Sequence, residues 1–267
     1  MVDTASAYAQ IIRSRLRGQL QYRLSFALDC LSDLVTQGAE LVAIVVLFAH
    51  VDAVGGFDRQ EVLLVYALAA VGFGLADLVV GQVGTLPGHV RTGTFDVLLM
   101  RPISALWQIA TSDLQLRRVG RLIVGLGTLC LVLATVDIDW TVARVLLVLT
   151  TPLAGATIIG SVWIISTATS FWFVDTQEVT VATTHGTNLF ASYPLTVFSG
   201  WLRTLMAFVI PSAFVSYYPT LALLGRPDPL GGPPWLAWAG TVVSVLTALA
   251  CAAGWRFAVR HYQGTGS

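Results

Sequence analysis

The sequence has no lysine and a single asparagine, Asn188. Without lysine, no P-loop within the chain can reach a terminal phosphate, so an ATPase site of that kind is excluded. Schiff-base chemistry is excluded for the same reason. One asparagine cannot build a water channel that needs two Asn-Pro-Ala loops. Charge is scarce: 11% of the 267 residues are charged, against about 25% in a soluble domain. Cys30, Cys130 and Cys251 lie far apart in apolar segments, where free cysteine behaves as a small hydrophobe. Their spacing suits neither a disulfide framework nor a metal site. His50, His89, His185 and His261 are scattered between loops and segment ends and support no catalytic or metal-binding cluster. Ser199-Gly200 has no partner histidine inside a span, which argues against an intramembrane serine protease.

What remains is apolar. Hydrophobic residues make up 55% of the chain, and the mean hydropathy is +0.75. The expected fold is an all-α membrane protein, with length for about six spans and short loops. The apolar segments run Leu28 to Phe48, Val62 to Leu86, Val119 to Val136, Val142 to Phe173, Leu205 to Leu224, and Trp235 to Val259. Val174 to Arg203 is only weakly hydrophobic and reads as an interfacial helix or a re-entrant piece. Ahead of the first span, Tyr8, Ile12, Leu16 and Leu20 recur every four residues beside Arg13 and Arg17. That pattern predicts a cytoplasmic amphipathic helix over residues 1–24, lying in the headgroup layer. No apolar core separates its arginines, so it is not a cleavable signal. The membrane domain is expected over 25–260, with a cytoplasmic loop at about 87–118 and a cytoplasmic tail at 261–267.

All fifteen basic residues are arginine, and they are distributed unevenly. On a six-span layout twelve fall on one side: Arg13, Arg15, Arg17 and Arg23; Arg91, Arg101, Arg117, Arg118 and Arg121; Arg203; Arg256 and Arg260. Only Arg59, Arg144 and Arg226 fall on the other. The positive side is cytoplasmic, so both termini are expected in the cytoplasm.

The loop from Pro87 to Ser104 is the most informative. Thr94 is placed to cap a short helix from Phe95 to Met100, and Pro102 to stop it. Phe95, Leu98 and Leu99 would share a side and need the membrane or another protein to cover them. The run Gly93-Thr94-Phe95-Asp96-x-Leu98-Leu99-x-Arg101-Pro102 resembles the signature after the second span in type-2 ABC exporter permeases. Tyr193-Pro194-Leu195 and Ile210-Pro211-Ser212-Ala213-Phe214-x-x-Tyr217-x-Pro219, followed by Leu223-Leu224-Gly225, resemble the same family. The resemblance covers most of the chain. It implies six spans per subunit, two identical or homologous permeases per transporter, and a separately encoded ATPase pair that holds ATP and Mg. This chain would then hold no cofactor, catalyse nothing itself and bind no nucleic acid. It would sit in the bacterial cytoplasmic membrane as the path of an efflux system. The resemblance also implies a coupling helix that docks on the ATPase, carried here by Thr94, Phe95, Asp96, Leu98, Leu99, Arg101 and Pro102, with Phe95 as the expected anchor.

Acids inside the spans ask for a reason. Asp29, Asp33 and Glu40 lie at about 0°, 40° and 20° around one helix, at ~100° per residue. A carboxylate facing lipid is costly, so that face should meet protein, water or arginine. Asp29 and Asp33 are expected near the headgroups beside arginines such as Arg23, whereas Glu40, and Asp33 with it, are candidates for the transport path or a subunit interface. Asp77 is expected deep in the second span, facing the same path. Pro211 and Pro219 are expected to kink the fifth span, with Tyr217 at an outer gate or a static bend. Gly72, Gly74, Gly120, Gly125, Ala156 and Gly160 suit close helix contact. Phe171, Trp172, Phe173 and Trp201 read as one interfacial belt, and Trp140, Trp235 and Trp238 as the other. An ion-coupled secondary transporter using Glu40 and Asp77 is the alternative function; a membrane scaffold is a third.

Overall fold

The computed structural model describes residues 23–112, 117–173 and 176–262. The expected amphipathic helix, apart from its last two residues, and the tail beyond Tyr262 lie outside the described residues, as do the side chains of Asp29 and Asp33. Eleven α-helices are described: α1 (Arg23–Phe48), α2 (Arg59–Val80), α3 (Leu86–Arg91), α4 (Thr94–Leu99), α5 (Ala105–Ala110), α6 (Arg117–Thr135), α7 (Val142–Ala168), α8 (Gln177–Ser192), α9 (Gly200–Thr204), α10 (Tyr217–Leu224) and α11 (Gly240–Arg260). No strand occurs among the described residues.

Helix α2 is the axis of the bundle. Its start is fixed by a capping box: Glu61 N donates to Asp58 Oδ1 at 2.9 Å, and Asp58 N donates to Glu61 Oε2 at 2.9 Å. This satisfies two amides that the first turn leaves without partners. Almost every residue from Val62 to Ala76 is buried, as expected of a helix that is apolar all round. Helices α1, α6, α7 and α8 pack around it, and α11 packs on α7. Small residues let the backbones approach. A Cβ at Gly125 would lie 3.2 Å from the backbone of Ala70 and Val71, and one at Gly74 would lie 3.2 Å from Leu122 Cα. A Cβ at Gly72 would stand 3.5 Å from Gly155, while one at Gly160 would come within 2.9 Å of Val80 Cγ2. Gly120 has nothing within 4 Å and is not a packing contact.

The outer faces invert the soluble pattern. Val42, Val46, Ile123, Leu131, Leu149, Leu153, Leu246 and Leu249 are all exposed, and a surface so apolar needs lipid or protein to cover it. Among the described residues four helices are long and apolar enough to cross a membrane: Arg59–Arg91, Arg118–Thr135, Val142–Phe171 and Gly240–Arg260. In α1 only Leu34–Phe48 is apolar helix of that kind, and it is shorter. By length and composition the count among the described residues is therefore four, or five with one bent pair, and the expected six is not established.

The bent pair corrects the expected fifth span. Gly200–Val209 and Ser212–Leu224 meet at 69°, so Leu205 to Leu224 is not one continuous span. Pro211 supplies no amide to continue the helix. The turn before it widens into a π segment, Leu205–Val209, closed by Ile210 N donating to Leu205 O at 3.0 Å. Ser212 Oγ donates to the Met206 carbonyl at 3.1 Å. Pro219, by contrast, is the third residue of α10, where a missing amide costs nothing, and it produces no kink.

Both ends of this pair sit at one end of the bundle. The turn Leu195–Val197 lies against Gly55, where an added Cβ would meet Thr196 Oγ1 at 2.3 Å. Beyond α10, Arg226 donates to Gly56 O at 3.2 Å and pairs with Glu61. The pair leaves and returns at the Gly55 end, as a re-entrant hairpin does. Helix α8 carries the chain across instead: Thr180 lies 3.9 Å from a Cβ built at Gly84, while the turn after α8 reaches Gly55. At 16 residues and 1.5 Å rise, α8 is about 24 Å long. Arg203 therefore belongs with the Arg-poor end, beside Arg59, Arg144 and Arg226, and not on the expected Arg-rich side.

Candidate functional site

At the Arg-rich end, α3, α4 and α5 form a small platform beneath the bundle. The N-cap of α4 is Gly93, in the left-handed region at φ 70°, and not Thr94. The Thr94 hydroxyl instead contacts His89 Nδ1 at 2.9 Å and Thr92 Oγ1 at 3.0 Å, closing the turn from α3. Gln108, on α5, donates from Nε2 to Leu98 O at 2.9 Å and to Ile103 O at 2.8 Å. It thereby caps the end of α4 and holds the turn containing Arg101 and Pro102.

Phe95 does not face outward as expected. It is 0% exposed, packed with Leu86, Val90, Ile109 and Ala258. Its ring centroid lies 5.0 Å from those of Phe171, at the end of α7, and of Tyr262, just beyond α11. Leu98, one turn on, packs partly against the same cluster. An i, i+3 pair on a short helix shares one face, and here that face is filled from within the chain. The outward residues are Asp96, Val97, Leu99, Met100, Arg101 and Pro102, with Met100 77% exposed. Phe171 is correspondingly an interior residue, whereas Trp172 and Phe173 are exposed. Burial, and then the Asp96 carboxylate beside it, raise the Tyr262 hydroxyl above the ordinary phenol value.

Glu40 lines a cavity of about 370 Å³ with Tyr66, His185, Asn188, Leu189 and Tyr193. Tyr66 donates to Glu40 Oε2 at 3.1 Å. An adjoining recess adds Gln37, Phe73 and Arg121, with the Arg121 guanidinium 4.8 Å above the Phe73 ring. His185 is therefore a cavity residue on α8, not an isolated loop histidine. Asp77 lines neither space. It pairs with Arg118 at 3.4 Å, and Arg118 also donates to Asp77 O at 2.8 Å. This clamp joins the last turn of α2 to the first turn of α6. It lies about 27 Å along α2 from Arg59, at 1.5 Å per residue, near the Arg-rich end rather than deep in the span.

Tyr217 is buried near the opposite end, and its hydroxyl donates to Asp228 Oδ1 at 2.7 Å. Pro211 is buried at the break of the hairpin. Ser216 donates to the Ala191 carbonyl at 2.5 Å and so ties the hairpin to α8. Arg226 sits 5.1 Å above Phe57 while pairing with Glu61. These contacts fasten the hairpin to the Arg-poor end of the bundle.

Comparison with curated proteins and with solved structures gives no significant match. A family model described as ABC-2 family transporter protein matches residues 34–266. The chain thus belongs to the ABC-2 transporter family, as a multi-pass membrane permease component of an ABC transporter.

Proposed function

We propose that this permease works as an ATP-driven exporter: one of two permease copies or homologues around a substrate path, coupled to separately encoded ATPase subunits that bind ATP and Mg. The carrying observation is the orientation of α4. Its inner side is locked by Phe95 to the ends of α7 and α11, while Val97, Leu99 and Met100 remain uncovered outside. A partner seated on that outer side would move α4, and the aromatic cluster would pass the movement to two spans. ATP can drive transport only by favouring one arrangement of those spans over another. The exposed apolar side chains supply the contact; Asp96 and Arg101 orient it through solvent-screened charge pairs at the rim. The alternative of an ion-coupled transporter loses one of its two acids, because Asp77 is held by Arg118.

Met100→Asp tests this reading. It places a charge at the exposed centre of the contact and leaves the Phe95 cluster untouched. ATPase copurification and efflux are expected to fall at least tenfold at equal expression and unchanged thermal unfolding. Full association and full efflux would remove α4 as the coupling element.

The reading also places the protein in the bacterial cytoplasmic membrane with the Arg-rich end in the cytoplasm. Cysteine introduced at Arg91 should resist impermeant labelling in intact cells, whereas cysteine at Asp52 should label. The reverse pattern would invert the orientation.

A further inference from the structure

The cavity around Glu40 holds opposite charges that no ion pair joins among the described residues. Among the described residues, the Glu40 carboxylate has one hydrogen-bond partner, the Tyr66 hydroxyl, and no cation. Arg121 lines the same space, resting on the Phe73 ring, with no ion pair or hydrogen bond among the described residues. Beside it Gln37 is 4% exposed, and its Nε2 has no hydrogen-bond partner. An unmatched buried amide donor is destabilising, and unpaired charge within an apolar helix bundle is more so. Glu40 and Tyr66 line both the larger cavity and a recess of about 10 Å³, the room of one small atom group, and Arg121 and Gln37 line the recess alone. The buried Ile44 and the exposed Leu189 give the cavity an apolar wall that reaches the outer surface at Leu189.

We infer that this cavity binds a zwitterionic head, with its ammonium against Glu40 and Tyr66 and an anionic oxygen directed through the recess towards Arg121 and Gln37. Such a ligand satisfies both charges and the orphan donor together. A purely anionic head meets the Glu40 carboxylate, and a purely cationic one leaves Arg121 uncompensated. The cavity is large enough for a head group and too small for a whole lipid, so any chains would lie along Ile44 and Leu189. As a statement about transported substrate, this rests on the exporter reading above; as a statement about binding, it does not.

The test is therefore direct binding, without ATPase. The purified full chain in maltoside micelles is titrated with dihexanoyl phosphatidylethanolamine, dihexanoyl phosphatidic acid and chain-free phosphoethanolamine. The first is expected to bind at least tenfold more tightly than the second. Equal binding of chain-free phosphoethanolamine identifies a soluble zwitterion as the source, and loss of it identifies an amphiphile; both support the head-group assignment. Glu40→Gln and Gln37→Leu should each weaken binding about tenfold, while Glu178→Gln, on the exposed start of α8, should leave it unchanged. Gln37→Leu removes a buried unpaired amide, so it folds at least as well as the parent. A Gln37→Leu protein that is more stable yet binds normally would overturn the proposal. So would equal affinity for phosphatidic acid, or a Glu40→Gln protein whose oligomeric state changes while its binding does not. Loss of efflux in Met100→Asp with normal binding here would leave the two conclusions separate.

Discussion

Phe95→Ala is expected to unfold the α3–α5 platform before any partner is involved. The ring is fully buried against Phe171, Tyr262 and the side chains of α3 and α5. Removing a buried phenylalanine ring costs about 3–5 kcal/mol through lost burial and the cavity left behind. Helix α4 is six residues long, far too short to persist without tertiary packing, so the loss falls on the whole α3–α5 unit. The variant should lower the thermal transition of the purified chain and raise protease cleavage between residues 88 and 104. Transport should fail as a consequence. Met100→Asp provides the contrast, since it should impair partner association with no change in unfolding. If Phe95→Ala leaves cleavage and unfolding unchanged, the aromatic cluster is not what holds the platform.

The direction of Phe95 shows where reading the sequence stops. A short apolar helix ended by Pro102 was legible from Gly93 to Pro102, because its turn residues and stop signal are local. Which side it buries was not, because Phe171 and Tyr262 come from distant parts of the chain. The four well-formed spans were legible as apolar runs for the same reason that they cross: each is long and uninterrupted. Helix α8 was not, because its threonines lower its hydropathy. Thr183, Thr184 and Thr187 nonetheless donate to the carbonyls four residues earlier, at 2.8, 2.9 and 2.7 Å, and so bury their polarity within the helix. Ser166 also donates to Thr183 at 3.0 Å, binding α8 to α7. The re-entrant hairpin was misread in the opposite sense. Its apolar run has the length of a span, and Pro211 signals only that a break occurs, not that the chain returns. The Glu40 face was visible from spacing, but its cavity partners were not, since Arg121 and Asn188 stand far along the sequence. The only asparagine, three residues from His185 in a threonine-rich stretch, was the available signal.

The second large effect is expected at the Asp77–Arg118 clamp, where the acid of this span meets a base. Arg118 is 10% exposed and Asp77 21% by side chain, so neither charge is freely hydrated. Removing one member of such a pair leaves the other poorly compensated, at a cost of about 3–5 kcal/mol. Arg118→Leu should therefore reduce stability by about that amount and lower the yield of folded protein. The same substitution combined with Asp77→Leu should regain much of the loss, because two apolar residues replace two charges rather than stranding one. Space argues against larger adjustments: a Cβ at Gly81 would already meet Asp77 Oδ1 at 2.2 Å and Arg118 Nη1 at 2.5 Å. The measurement is a double-mutant cycle on thermal unfolding of the purified chain, with transport assayed in parallel. A structural clamp predicts strong coupling between the two substitutions and partial recovery of transport in the double variant. If Asp77 instead carries a transported proton, Asp77→Leu abolishes transport whether or not Arg118 is changed, and the recovery of stability brings no recovery of activity.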